Sequence, residues 1–149
     1  PTQLYLSTNA ADYESFLKIN KPKYDDSWER WNRTLNMLKN LDTRTVLRIT
    51  LIRNYNDQKE MIPAFAEMFR KASPHFIEIK SYMHIGRSTN RLEHENMLEM
   101  SEVKKFSEQI AKESKIFSIM DESIVSRISI LQNNERFIDR WIPTYSNTN

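Results

Sequence analysis

The sequence predicts an α/β fold built on a largely parallel sheet. Three observations carry that expectation. The run over residues 44–56, RTVLRITLIRNYN, is the longest β-like stretch: Val46, Ile49, Thr50, Leu51 and Ile52 are residues that strands favour. It ends in the polar cluster Arg53-Asn54-Tyr55-Asn56, just before a helical pattern opens at Asp57. Strand-like and helix-like stretches then alternate along most of the chain, which implies parallel strands joined by right-handed crossovers.

In order, Gln3–Ser7 (QLYLS) reads as a short strand, with Leu4 and Leu6 facing one way and Tyr5 the other. Residues 12–19 suit a short helix with Tyr13, Phe16 and Leu17 on one side. Residues 20–26 form a turn in which Pro22 bars helix continuation. Ser27 can cap a helix over residues 28–40, whose Trp28, Trp31, Leu35 and Leu38 recur every three or four positions. After the central strand, Asp57 is the expected N-cap of a helix striped by Met61, Ile62, Phe65, Met68 and Phe69. Pro63 sits in its first turn and Ser73-Pro74 ends it. Residues 76–80 (FIEIK) are the third strand. Residues 81–96 are a long irregular stretch holding His84, Arg87, Arg91 and His94; loops of that length are usually functional or mobile. A helix capped by Ser101 runs over residues 101–114, followed by strands at 116–120 and 124–131, the latter with Arg127 set into it. A turn at 132–135 leads to a closing segment at 136–143, and residues 146–149 are expected to fray.

The totals exclude several chemistries. The chain has 149 residues, suited to one domain, with 39% hydrophobic and 28% charged residues and a net charge of +2. It contains no cysteine, which rules out disulfides, thiolate metal sites and a cysteine nucleophile within it. Its one glycine, Gly86, rules out a glycine-rich phosphate loop. No apolar run approaches the roughly 18 residues that span a bilayer, and no secretory pattern opens the chain, so a cytoplasmic location is expected. The chain begins almost inside its first strand, the pattern expected of a fragment.

Three strands in succession end in polar groups: Ser7 and Asn9, Arg53 and Asn56, Lys80 and Tyr82. In a parallel sheet these ends lie side by side and make a rim of donors for a ligand bearing hydroxyls and carboxylates; solvated loops explain the same residues without a ligand. Arg48 and Arg127, set in strand patterns, imply either an ion pair or anion site on the sheet, or edge strands with solvent-facing arginines. Lys80 at a strand end suits a Schiff-base or phosphate role as well as a surface lysine. His75, His84 and His94 show no metal-ligand spacing, and Trp28 and Trp31 suit helix packing. Asp121-Glu122, at a strand end, fits a general acid/base or a metal ligand, and a turn or helix cap equally well.

At QLYLSTNA, RTVLRITLIRNYN, FIEIKSYMHIG and DESIVSRISIL the chain resembles the C-terminal half of the archaeal tRNA 4-demethylwyosine synthases, from Thr2 to about Trp141. These are radical S-adenosylmethionine (SAM) enzymes that rebuild N1-methylguanosine-37 of phenylalanine tRNA into a tricyclic base with a two-carbon unit from pyruvate. The resemblance implies the parallel-sheet half of a partial (β/α)6 TIM-like barrel with a C-terminal β extension. It implies SAM contacts from Ser7, Asn9, Thr50, Arg53 and Asn56, with Lys80 as catalytic residue and Tyr82, Gly86, Arg87 and Arg91 facing substrate or tRNA. Asn9 stands where the family usually carries an acidic residue, and Arg53 where lysine is usual. The family's pattern has Pro and His within NMLEMSEV, where this chain has Leu98 and Met100, and proline at the Ile124 position. The family's [4Fe–4S] cluster is held by a CxxxCxxC motif in the N-terminal half, which this chain lacks. The resemblance therefore implies the N-terminal half of the same enzyme as partner, and an isolated chain that is catalytically silent. The alternative is a stand-alone module that holds tRNA or a partner through Arg87, Arg91, Lys104 and Lys105.

Overall fold

A computed structural model describes residues 1–142 of the chain. The expected fraying at 146–149 lies outside the described residues. The elements follow in the order β1 (Gln3–Ser7), α1 (Tyr13–Asn20), α2 (Ser27–Leu38), β2 (Arg44–Leu51), α3 (Ile62–Ala72), β3 (Phe76–Ser81), α4 (Met100–Ser114), β4 (Phe117–Ser123) and β5 (Ile128–Asn133). They build one five-stranded sheet in the spatial order β1-β2-β3-β5-β4.

The α/β class holds. The parallel expectation holds for β1, β2 and β3, whose registers place Leu6 beside Leu47 and Val46 beside Phe76. It fails for the last two strands: β5 runs antiparallel to both β3 and β4. The reason is the connection. β4 and β5 are joined by a four-residue turn, too short for a crossover, so they form a hairpin added to the edge of the parallel set.

That turn also corrects the reading of residues 124–131 as a strand. Ile124 to Arg127 form the turn, with Arg127 at φ +50°, so Arg127 is not within a strand. Gln132 and Asn133, expected in a turn, belong to β5. Three caps differ as well. α2 begins on Ser27 itself, with Asp26 in the cap position, so Ser27 is the first residue of the helix and not its cap. α4 starts on Glu99, whose backbone N–H donates to Glu102 Oε2 at 2.8 Å in a capping box; Ser101 lies inside the helix. Asp57 is not a helix cap. Its Oδ1 accepts from the Asn54 N–H at 2.8 Å and closes a tight turn in which Asn54 takes φ +68°; α3 begins five residues later, with Pro63 in its first turn as expected.

One face of the sheet is covered. Leu47, Ile49 and Leu51 of β2, Ile77 and Ile79 of β3 and Leu131 of β5 pack against Leu35 and Leu38 of α2, Phe65 and Phe69 of α3, and Val103, Phe106 and Ile110 of α4. Each of these side chains gains about 1.5–3 kcal/mol from leaving water, which makes this face the main source of stability. Trp28 packs edge-on against Phe16 at 5.2 Å and so ties α2 to α1. The other face carries the opposite strand parity: Tyr5 and Ser7, Arg44, Val46, Arg48 and Thr50, Phe76, Glu78 and Lys80. Arg48 and Glu78 pair there with Nε–Oε1 at 2.8 Å, and the Arg48 guanidinium stacks over Tyr5 at 4.7 Å. Of the two readings of Arg48, the ion pair is the one found. At the lower end of this face Arg44 donates to the backbone carbonyls of Asp139, Arg140 and Trp141 and holds the last described residues against the sheet.

Candidate functional site

Because β1, β2 and β3 run side by side in one direction, their C-terminal ends and the loops after them share one rim. Register sorts the strand residues there. Thr50 lies beside Lys80, which in turn lies beside Ile128; one step lower on the same face, Ser7, Arg48 and Glu78 form a row. Ser7 is exposed, and Lys80 is half-buried without a hydrogen bond or ion pair among the described residues.

A pocket of about 230 Å³ opens at this rim, lined among others by Asn9, Lys18, Lys21, Thr50, Tyr82 and Arg91. A single amide network shapes its strand side. Asn9 Oδ1 accepts from the Thr50 N–H at 3.0 Å. Asn56, fully buried, accepts from the Ile52 N–H at 2.7 Å through Oδ1, and its Nδ2 donates to the carbonyls of Asn9 and Thr50, both at 2.9 Å. Asn56 therefore fastens the loop after β1 to the end of β2. With Oδ1 taken, the Nδ2 group of Asn9 is the part of that side chain left for a ligand.

Arg53 is turned away from the pocket. It grips Glu102 through two bonds of 2.6 and 2.7 Å and donates to the carbonyls of Glu95 and Met97 at 3.0 and 2.9 Å. The Arg53 guanidinium holds the Glu102 carboxyl below its usual value, and Glu102 raises Arg53 in return. Arg53 thus anchors the loop before α4 to the end of β2.

Tyr82 is buried, and its hydroxyl lies 3.1 Å from His84 Nδ1; the His84 ring meets His94 edge-on at 6.1 Å between centroids. Gly86 takes φ +62°, a left-handed turn that only glycine adopts at no cost. Arg87 follows on the exposed surface of that turn. His75 lies at the opposite end of β2 and β3, where its Nδ1 meets the N–H and hydroxyl of Thr45 at 3.1 and 2.9 Å. Asp121 pairs with Arg140, and Glu122 with Lys104 at 3.3 Å.

Of the residues singled out from sequence, Asn9, Thr50, Tyr82 and Arg91 line the pocket. Asn56 and Arg53 hold its walls from behind. Ser7 and Lys80 lie on the open sheet face, and Gly86 and Arg87 in the loop above β3. Lys18, Lys21 and Tyr55, which also line the pocket, were not singled out. Their signal in the sequence is weak: a helix-end lysine, a lysine beside a proline and a loop tyrosine are common. Among the described residues no three His, Asp or Glu side chains come together as a metal site, and no helix is long and apolar enough to cross a membrane.

Residues 71–133 match the family model described as wyosine base formation. The S-adenosyl-L-methionine-dependent tRNA 4-demethylwyosine synthase of Methanocaldococcus jannaschii is 43% identical over 141 residues, covering 93% of this chain and 43% of that protein. The enzyme of the same name from Pyrococcus abyssi is 37% identical over 135 residues, covering 91% of this chain and 39% of that protein. A solved structure of TYW1 with a lysine-pyruvate adduct bound superposes with a TM-score of 0.83 at 41% identity, covering 93% of this chain and 43% of that one. The chain spans about two fifths of the length of these two archaeal relatives.

Proposed function

The chain belongs to the tRNA 4-demethylwyosine synthase family, of whose members it spans a part, and from that premise we propose that it is the C-terminal, ligand-orienting portion of such an enzyme. The complete enzyme would convert N1-methylguanosine-37 of phenylalanine tRNA to 4-demethylwyosine with carbon from pyruvate. The observation that carries this reading is the asymmetry of the sheet. Helices cover one face, the other carries mostly polar side chains toward the strand C-termini and, among the described residues, no helix, and a pocket sits at the C-terminal ends of three parallel strands. That arrangement supports reading the chain as part of a (β/α) barrel, in which further strands would complete the inner face and sites lie at the strand C-termini. In this reading the partial (β/α)6 barrel is closed by the enzyme's N-terminal half, and the β4–β5 hairpin is the C-terminal extension.

The donors present suit the nucleoside of SAM. Asn9 offers an amide Nδ2 group and Thr50 a hydroxyl from the same wall. When bound, SAM supplies the radical chemistry of the family. Asn56 positions Asn9 and Thr50, and Arg53 positions the loop above them. Ser7 and Lys80 face the interior that the missing strands would enclose, with Lys80 as the candidate to meet the substrate. Tyr82, Gly86, Arg87 and Arg91 form the side toward tRNA. A [4Fe–4S] cluster does not fit this chain, which offers no thiolate; its ligands would come from elsewhere in the enzyme, and the isolated chain would not turn over.

The test is SAM binding to the complete protein by equilibrium dialysis. Asn9→Ala should weaken binding about tenfold, the usual cost of one buried hydrogen bond to a ligand. Asn9→Asp, which keeps the acceptor for the Thr50 N–H, should retain more affinity. An Asn9→Ala protein that binds SAM as tightly as wild type would remove the assignment.

A further inference from the structure

The pocket at the strand ends has a feature that nucleoside recognition leaves unused: three of its lining residues are cations, and none is a carboxylate. Lys18 lies in the last turn of α1, Lys21 caps that helix, and Arg91 faces them from the loop after β3. Among the described residues none of the three has an ion-pair partner. Glu14 stands one turn before Lys18, the spacing that favours a pair. The Lys18 ammonium goes instead to the Tyr55 ring, 4.9 Å from its centroid, and both residues line the pocket. Asp12 and Glu14 line the neighbouring depression beyond Lys18, and Asp12 is occupied in accepting from the Ser15 N–H. Lys21 takes φ +46°, a left-handed conformation that lysine adopts at a cost and that glycine would adopt freely. A helix C-terminus accounts for a cation at position 18. It does not account for the other two converging on the same space.

We infer that Lys18, Lys21 and Arg91 form a phosphate clamp that seats the RNA backbone at the edge of the pocket, with Asn9 and Thr50 left for the cofactor at its base. Charge decides between the anions available to this enzyme. SAM carries a carboxylate, an ammonium and a sulfonium, so as a whole it is a cation, and three converging cations repel it. Pyruvate brings a single negative charge. An RNA backbone brings one per nucleotide and releases bound counterions when it is neutralised, so it gains most from this cluster. The inference deepens the proposed function and rests on it for the identity of the nucleic acid as tRNA.

The experiment measures binding of a labelled tRNA transcript to the complete protein by anisotropy across a salt series, and SAM binding by dialysis in parallel. The Lys18→Gln/Lys21→Gln double variant should bind tRNA about tenfold more weakly at low salt. Its log–log salt slope should fall by about 1.5, two phosphate contacts' worth, with SAM bound no more weakly, since the lost charges repel that cation. The Lys18→Arg/Lys21→Arg variant, which keeps both charges, should bind as wild type does; this separates loss of charge from loss of fold. Equal tRNA affinity and slope in the Gln variant would overturn the clamp alone. Unchanged tRNA binding with weakened SAM binding would also overturn it, and give the cations to the cofactor. A wild-type protein that binds SAM but no tRNA would overturn the clamp and the tRNA part of the proposed function together.

Discussion

The Arg53–Glu102 pair is the place where the site's architecture is most exposed to a single change. Arg53 is the first residue but one after β2, and through four donated bonds it holds the carbonyls of Glu95 and Met97 and both oxygens of Glu102. Its backbone joins in: the Arg53 N–H donates to the Asn96 carbonyl at 2.9 Å, and the Arg53 carbonyl accepts from Asn96 Nδ2 at 3.1 Å. Replacing Arg53 with alanine removes the four side-chain bonds and leaves the two backbone ones. The side chains of the pair are 33% and 38% exposed, so water screens them and takes over much of what is lost. The two charge-assisted bonds to Glu102 are then worth about 1 kcal/mol as a coupling energy, and the two carbonyl contacts about 0.5 kcal/mol each. Arg53→Ala should therefore destabilise the local closed state by about 2 kcal/mol, a roughly 30-fold rise in the opening constant.

Hydrogen exchange read by mass spectrometry over residues 93–102 measures that opening directly. A cycle of Arg53→Ala, Glu102→Ala and the double variant should return a coupling of about 1 kcal/mol, with the β2 and β3 amides unaffected. The pH dependence gives an independent check. Arg53 holds the Glu102 carboxyl below its usual value, so its stabilisation is complete above about pH 4.5 and is lost as pH falls through the depressed value. The Glu102→Gln protein should lack that acid-side loss. Additive single variants, or exchange in this loop that ignores Arg53, would refute the reasoning.

Two further outcomes follow from the same structure. Burial, and then the Arg136 and Arg44 cations, push His75 below its ordinary value of about 6.5, so folding favours the neutral ring whose Nδ1 meets Thr45. Stability should be complete above about pH 6.5 and fall by up to about 1.4 kcal/mol per unit below it, and thermal melting of His75→Gln across the same range should be flatter. Asn56→Ala strands the Ile52 N–H and two carbonyls in a fully buried place, at a cost of about 2–4 kcal/mol, so its melting temperature should fall by several degrees. A melting temperature within about one degree of wild type would show that water replaces those bonds.

The sequence exposed the sheet better than its edges. β1 was legible to the residue, and β2 and β3 nearly so, because branched residues alternate there and polar residues stop the runs. The hairpin misled for a physical reason: Ile124 and Val125 sit at its tip, 76% and 94% exposed, so apolar side chains ran through the turn and made it look like strand. The site divides along the same line. While the chain is in a strand, parity assigns a face, and register sets Thr50 beside Lys80 with Ser7 one step lower on the same face. Once β2 ends at Leu51, parity stops governing, and each side chain goes where hydrogen bonds take it.

Arg53, Asn56 and Tyr82 all lie past a strand end. Arg53 turns to a glutamate 49 residues away, Asn56 to the loop after β1, and Tyr82 to His84, and no local pattern announces such partners. The same cause hides the cations. Lys18 and Lys21 reach the pocket only because α1 ends above the place where β2 gives way to its loop. What the strands share is therefore a platform whose position is dictated by topology, and what distinguishes this platform from others is set by the segments that follow the strands. The candidate site is built from those segments, where strand parity no longer applies. For that reason, changes at Asn9, Lys18, Lys21 and Arg91 should alter ligand choice while leaving the helix-covered core, and with it the fold, intact.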